Sequence, residues 1–313
     1  MNKQKELIVG YRKGDKKALA RCISYIENEI EGYENVLTSL NINSKTSVIG
    51  VTGPPGAGKS TLINVLVKQW AAENKKVGVI CIDPTSPFNH GSLLADRLRM
   101  SELFNNDLVF IRSLATRGSL GGLSVKTIEI TDLMKAFGFD YVIVETVGVG
   151  QAEVEIAGLA DTTVLVLVPE SGDEIQGIKS GIMEIGDLIV VNKSDREGAD
   201  NFVKNIANSL QHRTGPKPKI IKAVAINGSG VGDIIKENGI LSSAAEDGRG
   251  ASANREKRIF LLVEKAYHLI RDRRMQDVKR KTLKVRIEKE LRKGDFNIYS
   301  FVSKFFHTFA FYL

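Results

Sequence analysis

Ser47-Val48-Ile49-Gly50-Val51-Thr52-Gly53-Pro54-Pro55-Gly56-Ala57-Gly58-Lys59-Ser60-Thr61 decides the fold. A β-branched apolar run comes first, and Gly53, Gly58, Lys59 and Ser60 then give the GxxxxGKS spacing of a phosphate loop. Leu62, Val65, Leu66 and Trp70 follow at helical spacing, so the loop lies between a strand and a helix. The glycines let successive backbone N–H groups curl around a β-phosphate at the helix N-terminus. Lys59 would neutralise the β- and γ-oxygens, and the Ser60 hydroxyl would ligate Mg2+. Pro54, Pro55, Ala57 and Thr61 complete the loop.

Outward from this stretch, short apolar runs alternate with helix-length segments: 77–82, 108–111, 141–144, 163–168, 188–191 and 220–226. Runs of this length, rich in Val and Ile, are what a parallel sheet covered on both faces requires. The fold class read from them is α/β, a P-loop NTPase with a doubly wound, mostly parallel sheet, occupying residues 46–240. Before it, Leu7, Ile8, Tyr11, Leu19, Cys22, Ile23, Ile26 and Ile30 recur at helical spacing, with Gly14-Asp15 as a break and helix start. Residues 1–45 are read as an N-terminal helical extension. The small, polar stretch 241–254 is read as a linker, and residues 255–313 as a C-terminal helical dimerisation arm.

Charge separates the same regions. The 313-residue chain carries 44 basic and 37 acidic residues, a net +7. Between Arg255 and Lys293 lie 15 of the basic and 6 of the acidic residues, a local +9, which leaves 29 and 31, or −2, elsewhere. The last 18 residues hold 8 of the chain's 21 aromatics. An apolar stripe and an aromatic tail inside a basic segment need a protein surface to cover them, so the arm is assigned to subunit pairing ahead of nucleic acid. At 42% hydrophobic and 26% charged, disordered and fibrous classes are excluded. No apolar run reaches the roughly 18 residues of a membrane helix, and the first residues lack a signal-peptide core, so a cytoplasmic protein without membrane partners is expected. Cys22 and Cys81 lack metal or disulfide spacing and read as core fillers. The four histidines are scattered, and no pair has ligand spacing.

Four further places carry chemistry. Tyr141-Val142-Ile143-Val144-Glu145-Thr146-Val147-Gly148 delivers a carboxylate and then a glycine, which fits a magnesium-side Glu145 and a Gly148 N–H that senses the γ-phosphate. Asn192-Lys193-Ser194-Asp195 follows an apolar run. Asp195 can accept from guanine N1–H and the 2-amino group, which adenine lacks, so the pattern selects GTP over ATP. The Lys193 stem can lie along the base, and Asn192 can tie this loop to the phosphate loop. In Val224-Ala225-Ile226 a backbone N–H would meet guanine O6, with Val224 where serine is often found. Asp83 closes the run 77–82 at the ligand-binding end of a parallel strand, so it is read as functional. Asp96 is open between a metal-site carboxylate and a cap or ion pair on a surface helix. Arg117 is open between an internal arginine finger and a solvated loop residue, and Gln151 between orienting water and packing.

In order along the chain, Asp83-Pro84-Thr85-Ser86-Pro87-Phe88, Leu94-Ala95-Asp96-Arg97, Ala115-Thr116-Arg117-Gly118, Gly121-Gly122-Leu123-Ser124, Glu145 through Gln151, and Gln176-Gly177-Ile178-Lys179 with Ile182-Met183-Glu184-Ile185 resemble the MeaB/ArgK family. These are GTPases that act as chaperones for cobalamin-dependent methylmalonyl-CoA mutase and have also been labelled amino-acid-transport kinases. The resemblance runs from about Leu19 to Asp233. It implies a homodimer, GTP hydrolysis to GDP stimulated by an acyl-CoA mutase partner, and gating of cofactor delivery or protection. It also implies that Lys59, Ser60, Asp83, Asp96 and Glu145 form the phosphate and metal site, and that Gln176 and Lys179 lie in a mobile segment coupling nucleotide to partner. The rivals are a nickel-enzyme maturation GTPase, which would need Cys or His clusters, an ATPase or kinase linked to amino-acid transport, and a nucleic-acid-binding regulator using the basic arm. Which carboxylate orients the attacking water is left open.

Overall fold

Six largely buried apolar runs become strands because each can satisfy its backbone only by pairing and its side chains only by being covered on both faces, and a seventh, half-exposed strand closes one edge of the sheet. The computed structural model describes residues 3–41, 45–83, 100–115, 125–146, 152–171, 182–213 and 216–246, with Val263, Ile287 and Lys289. The chain divides into two units, Met1–Leu262 and Val263–Leu313, and the elements below belong to the first.

The N-terminal helices are α1 (Lys3–Arg12), α2 (Lys16–Glu27) and α3 (Tyr33–Thr38). They precede β1 (Ser47–Thr52), α4 (Lys59–Ala72), β2 (Val77–Asp83), β3 (Val109–Ala115), α5 (Val125–Phe137) and β4 (Tyr141–Glu145). Then come α6 (Ala152–Leu159), β5 (Thr162–Leu167), α7 (Ile182–Ile185), β6 (Leu188–Val191), α8 (Ala199–Ser209), β7 (Lys219–Lys222) and α9 (Val231–Glu246). The strands form one sheet in the order β3-β2-β4-β1-β5-β6-β7, and every pairing is parallel. The doubly wound sheet expected from the sequence is thus present, and wholly parallel among the described strands.

Alternation along each strand feeds two layers. Ile49, Val51, Val79, Cys81 and Ile143 share a cluster with Leu62, Ile63, Leu66 and Trp70 of α4 and with Val231 and Ile234 of α9. Their neighbours Val48, Ile80, Ile82, Val142 and Val144 share another with Leu19, Cys22, Ile23 and Ile26 of α2 and with Ile130, Leu133 and Met134 of α5. A third cluster joins Phe202 and Ile206 of α8 to Leu165, Leu167, Ile189 and Val191. Trp70 stacks on Tyr141 with ring centroids 4.4 Å apart.

The N-terminal segment is therefore a wall of the core as well as an extension. Asp15 caps α2, accepting from Lys17 N at 2.8 Å, at the helix start expected from Gly14-Asp15. Tyr11 Oη donates to the Leu133 carbonyl at 2.7 Å, and Arg112 bonds Glu27 at 2.8 Å. Lys126 at the start of α5 meets Glu29 and Glu129, each at 3.1 Å, and lies over the Tyr33 ring. Burial works against its charge, but the Glu129 carboxylate and the hydrogen bonds to Glu129, Glu29 and Tyr33 outweigh it and hold the Lys126 pKa above the ordinary lysine value. Both cysteines are buried, and burial pushes the Cys22 thiol up to about 11, so it stays neutral at physiological pH.

Two boundaries differ from the sequence reading. The run 220–226 is strand only through Lys222, because the chain then turns to meet Asn192, whose Oδ1 accepts from Ala225 N. Helix α9 continues through Glu246, so residues 241–246, read as the start of a linker, are helical; Ser242, Ser243, Ala244 and Ala245 are small, but serine is tolerated in a helix and alanine favours one. The division between compact units falls later, after Leu262. Among the described residues no helix is long and apolar enough to cross a membrane.

Ile23→Ala, at a side chain wholly buried in the α2 cluster, is expected to lower unfolding free energy in urea by about 2–5 kcal/mol. A change below about 0.5 kcal/mol would instead mark α2 as an appendage.

Candidate nucleotide site

The site grows from the carboxyl ends of β1, β4 and β2, adjacent strands whose register aligns them. Val51 stands opposite Glu145, and Cys81 stands opposite Glu145 on the other side. Beyond Thr52 the chain must turn sharply against β5, and only glycine fits. Gly53 has φ 140°, and a Cβ there would lie 2.0 Å from the Val166 carbonyl oxygen. The loop ends at Gly58, φ 87°, where a Cβ would lie 2.4 Å from Asn192 Nδ2. Gly58 is the N-cap of α4, and no side chain caps that helix, so its first N–H groups face the loop as an anion cradle.

Lys59 is 7% exposed, and its Nζ donates to the carbonyls of Gly53 at 2.8 Å and Pro54 at 3.0 Å. The ammonium is thereby drawn back over the loop that its own helix begins. Ser60 Oγ donates to Glu145 Oε1 at 2.7 Å across 85 residues of sequence, with both side chains buried. A serine hydroxyl gives its proton to a carboxylate while keeping lone pairs for a cation, and oxygen donors of this kind suit Mg2+. Asp83 is 2% exposed at the end of β2, on the same edge of the sheet as Glu145. Asp96, Arg117, Gly148, Gln151, Gln176 and Lys179 lie outside the described residues.

On the other side of β1, Asn192 joins three segments. Its Nδ2 donates to the Ala57 carbonyl at 2.8 Å, and its Oδ1 accepts from Ala225 N at 3.0 Å. Lys193 follows with φ 55°, a conformation uncommon outside glycine, and Ser194 N bonds the Ala223 carbonyl at 3.0 Å. This turn leaves Asp195 exposed. Of the three amides in Val224-Ala225-Ile226, that of Val224 donates to the Ser229 carbonyl and that of Ala225 to Asn192. Among the described residues the Ile226 amide has no such engagement, and its side chain is 86% exposed. Pattern reading passes over one feature here. Thr52 and Thr146 share a hydrogen bond, and their only signal in sequence is a hydroxyl closing each of two Val/Ile runs.

With this geometry in place, the family model described as Methylmalonyl Co-A mutase-associated GTPase MeaB matches residues 19–282. The chain belongs to the MeaB family. It is accordingly a GTPase. The MeaB likeness reaches 49 residues past Asp233, where the sequence reading ends it, and so takes in part of the basic segment (282 − 233). The GTPase ArgK of Escherichia coli is 36% identical over 241 residues, covering 73% of each chain. The mitochondrial methylmalonic aciduria type A homolog of mouse is 40% identical over 190 residues, covering 58% of this chain and 46% of that protein. The crystal structure of a LAO/AO transport system kinase shares the fold, with a TM-score of 0.67 at 24% identity over 97% of each chain.

Asn192→Ala removes the ties to both Ala57 and Ala225. It is expected to lower stability by about 1–3 kcal/mol in thermal or urea unfolding and, by titration calorimetry, to weaken GDP binding about tenfold or more. Unchanged GDP affinity would show that this residue does not organise the site.

Proposed function

We propose that this MeaB-family chain hydrolyses GTP at loop 53–61 as the switch of a homodimeric, cytoplasmic chaperone serving a cobalamin-dependent acyl-CoA mutase of the methylmalonyl-CoA type. The observation that carries the site reading is the buried Ser60–Glu145 pair beside Lys59. The mutase reading is supported by the description of the family model.

In this reading the N-terminus of α4 and the Lys59 ammonium hold the β- and γ-phosphates and offset the charge that develops as the γ-phosphoryl group leaves. Ser60 and Glu145 would hold Mg2+, with Asp83 and Asp96 as further acids for the metal and γ-phosphate. When bound, the ion neutralises phosphoryl oxygens and orients them. Water attacks the γ-phosphorus, the bond to the β–γ bridging oxygen breaks, and GDP and inorganic phosphate result. Glu145 or one of the aspartates orients that water. The γ-phosphate contact is assigned to the Gly148 N–H, which lies outside the described residues.

Base choice falls to Asp195, exposed on its turn, with the Lys193 stem along one face of the ring. Because the Val224 and Ala225 amides are engaged within the protein, the guanine O6 contact is assigned to the Ile226 N–H. The basic segment 255–313 is assigned to pairing of two copies.

Two measurements test this. Adding a methylmalonyl-CoA mutase to the full chain is expected to raise kcat for GTP and to give a complex on gel filtration; unchanged turnover with no complex would overturn the mutase assignment. Asp195→Asn is expected to shift preference from guanine to xanthine nucleotides by at least about a hundredfold, since a hydrogen-bonding group of a site left without its partner on the bound ligand discriminates this strongly. Retained GTP affinity would sink the base assignment.

A further inference from the structure

Two threonines stand where the phosphate-side and cation-side strands end. Thr52 closes β1 and Thr146 directly follows Glu145, and Thr146 Oγ1 donates to Thr52 Oγ1 at 2.9 Å. Thr52 is 0% and Thr146 1% exposed. Valine has the same branched shape and would continue the apolar ladder at both places, so the hydroxyls call for a reason. A buried hydroxyl without a partner destabilises the fold, and pairing two of them returns the balance close to that of an apolar pair. Net stability is therefore a poor explanation for the pair. What a hydrogen bond adds over a methyl contact is a fixed distance and direction.

Location says what that direction serves. The backbone ladder between β1 and β4 ends with Thr146 N donating to the Val51 carbonyl at 3.1 Å, and the hydroxyl pair is one contact further toward the site. Thr52 precedes Gly53, whose carbonyl accepts from Lys59 Nζ. Thr146 follows Glu145, whose carboxylate accepts from Ser60 Oγ. The pair thus joins the two lines of chain that carry the phosphate-side ammonium and the cation-side carboxylate. Beyond that last ladder bond, apolar side chains would fix neither distance nor direction, and misplacement of positioned groups costs rate.

We propose that Thr52 and Thr146 are positioning residues for GTP hydrolysis, their hydroxyl bond setting the separation between the entrance of the phosphate loop and the Glu145 carboxylate. The proposal rests on the site reading above and deepens it: neither threonine touches the reacting atoms, and both act through Gly53, Lys59 and Glu145.

The test uses the full-length chain and compares Thr52→Val, Thr146→Val, the double variant and Thr146→Ser, with Lys59→Ala as a control for the site. Each single valine leaves one buried hydroxyl without its mate, so both the thermal midpoint and kcat fall. The double variant removes both hydroxyls and recovers most of the midpoint, while kcat stays about tenfold or more below wild type, with GDP affinity and KM for GTP changed less than about threefold. Thr146→Ser keeps the hydroxyl and holds kcat within about threefold of wild type. A double variant with wild-type kcat would reduce the pair to packing and overturn the proposal, as would Thr146→Ser turning over as slowly as Thr146→Val. Should the double variant fail to fold, the serine and valine contrast at position 146 decides alone. Retained turnover in Lys59→Ala would instead remove the site reading, so the two failures are distinguishable.

Discussion

Because β1 and β4 lie side by side and parallel, with Val51 opposite Glu145, a serine in the first turn of α4 can reach a carboxylate 85 residues away at 2.7 Å. The rest of the structure depends on that adjacency. Parallel pairing sends both strand ends toward the same edge, and the helix that begins there presents its unsatisfied N–H groups to the space between them. Sliding the pairing by one residue would turn every side chain of one strand to the wrong layer, exchanging Ile143 with Val142 and Val144 between two different cores. Register at the site is therefore enforced by burial throughout the sheet, well beyond the reach of any ligand.

That burial also explains why the N-terminal helices belong with the nucleotide-binding fold. A sheet this apolar on both faces must be covered twice, and α2 with α5 supplies the second cover through Leu19, Ile23, Ile26, Ile130 and Leu133. Polar ties then orient the cover: Tyr11 to the Leu133 carbonyl, Glu27 to Arg112, and Lys126 to Glu29 and Glu129. They link α1, α2 and the turn after α2 to β3 and α5.

On the other side of β1, a single amide side chain bridges two loops. Asn192 donates to the Ala57 carbonyl and accepts from the Ala225 amide, so the loop before α4 and the segment after β7 are tied through it. The close approach of Gly58 to that side chain is the complementary constraint, since any Cβ there would push Asn192 away.

Much of this was legible beforehand because local rules are strong where they apply. Seven apolar runs of strand length, Gly53 to Ser60 in phosphate-loop spacing, and Asp15 as a helix start each carry their meaning in a few neighbouring residues, and MeaB membership follows from several such stretches in order. Harder to read were the ends of β7 and α9. Ala223 through Ile226 has strand propensity but leaves the sheet to reach Asn192, and residues 241–246 look like a linker but continue a helix. What the sequence by itself determined was the element types, the family and the residue kinds at the site. Only the tertiary structure decided which of them meet: that Ser60 bonds Glu145, that Thr52 bonds Thr146, and that α2 is core. The two hydrogen bonds join residues 85 and 94 positions apart, and no local propensity encodes them; they follow from the order in which parallel strands pack.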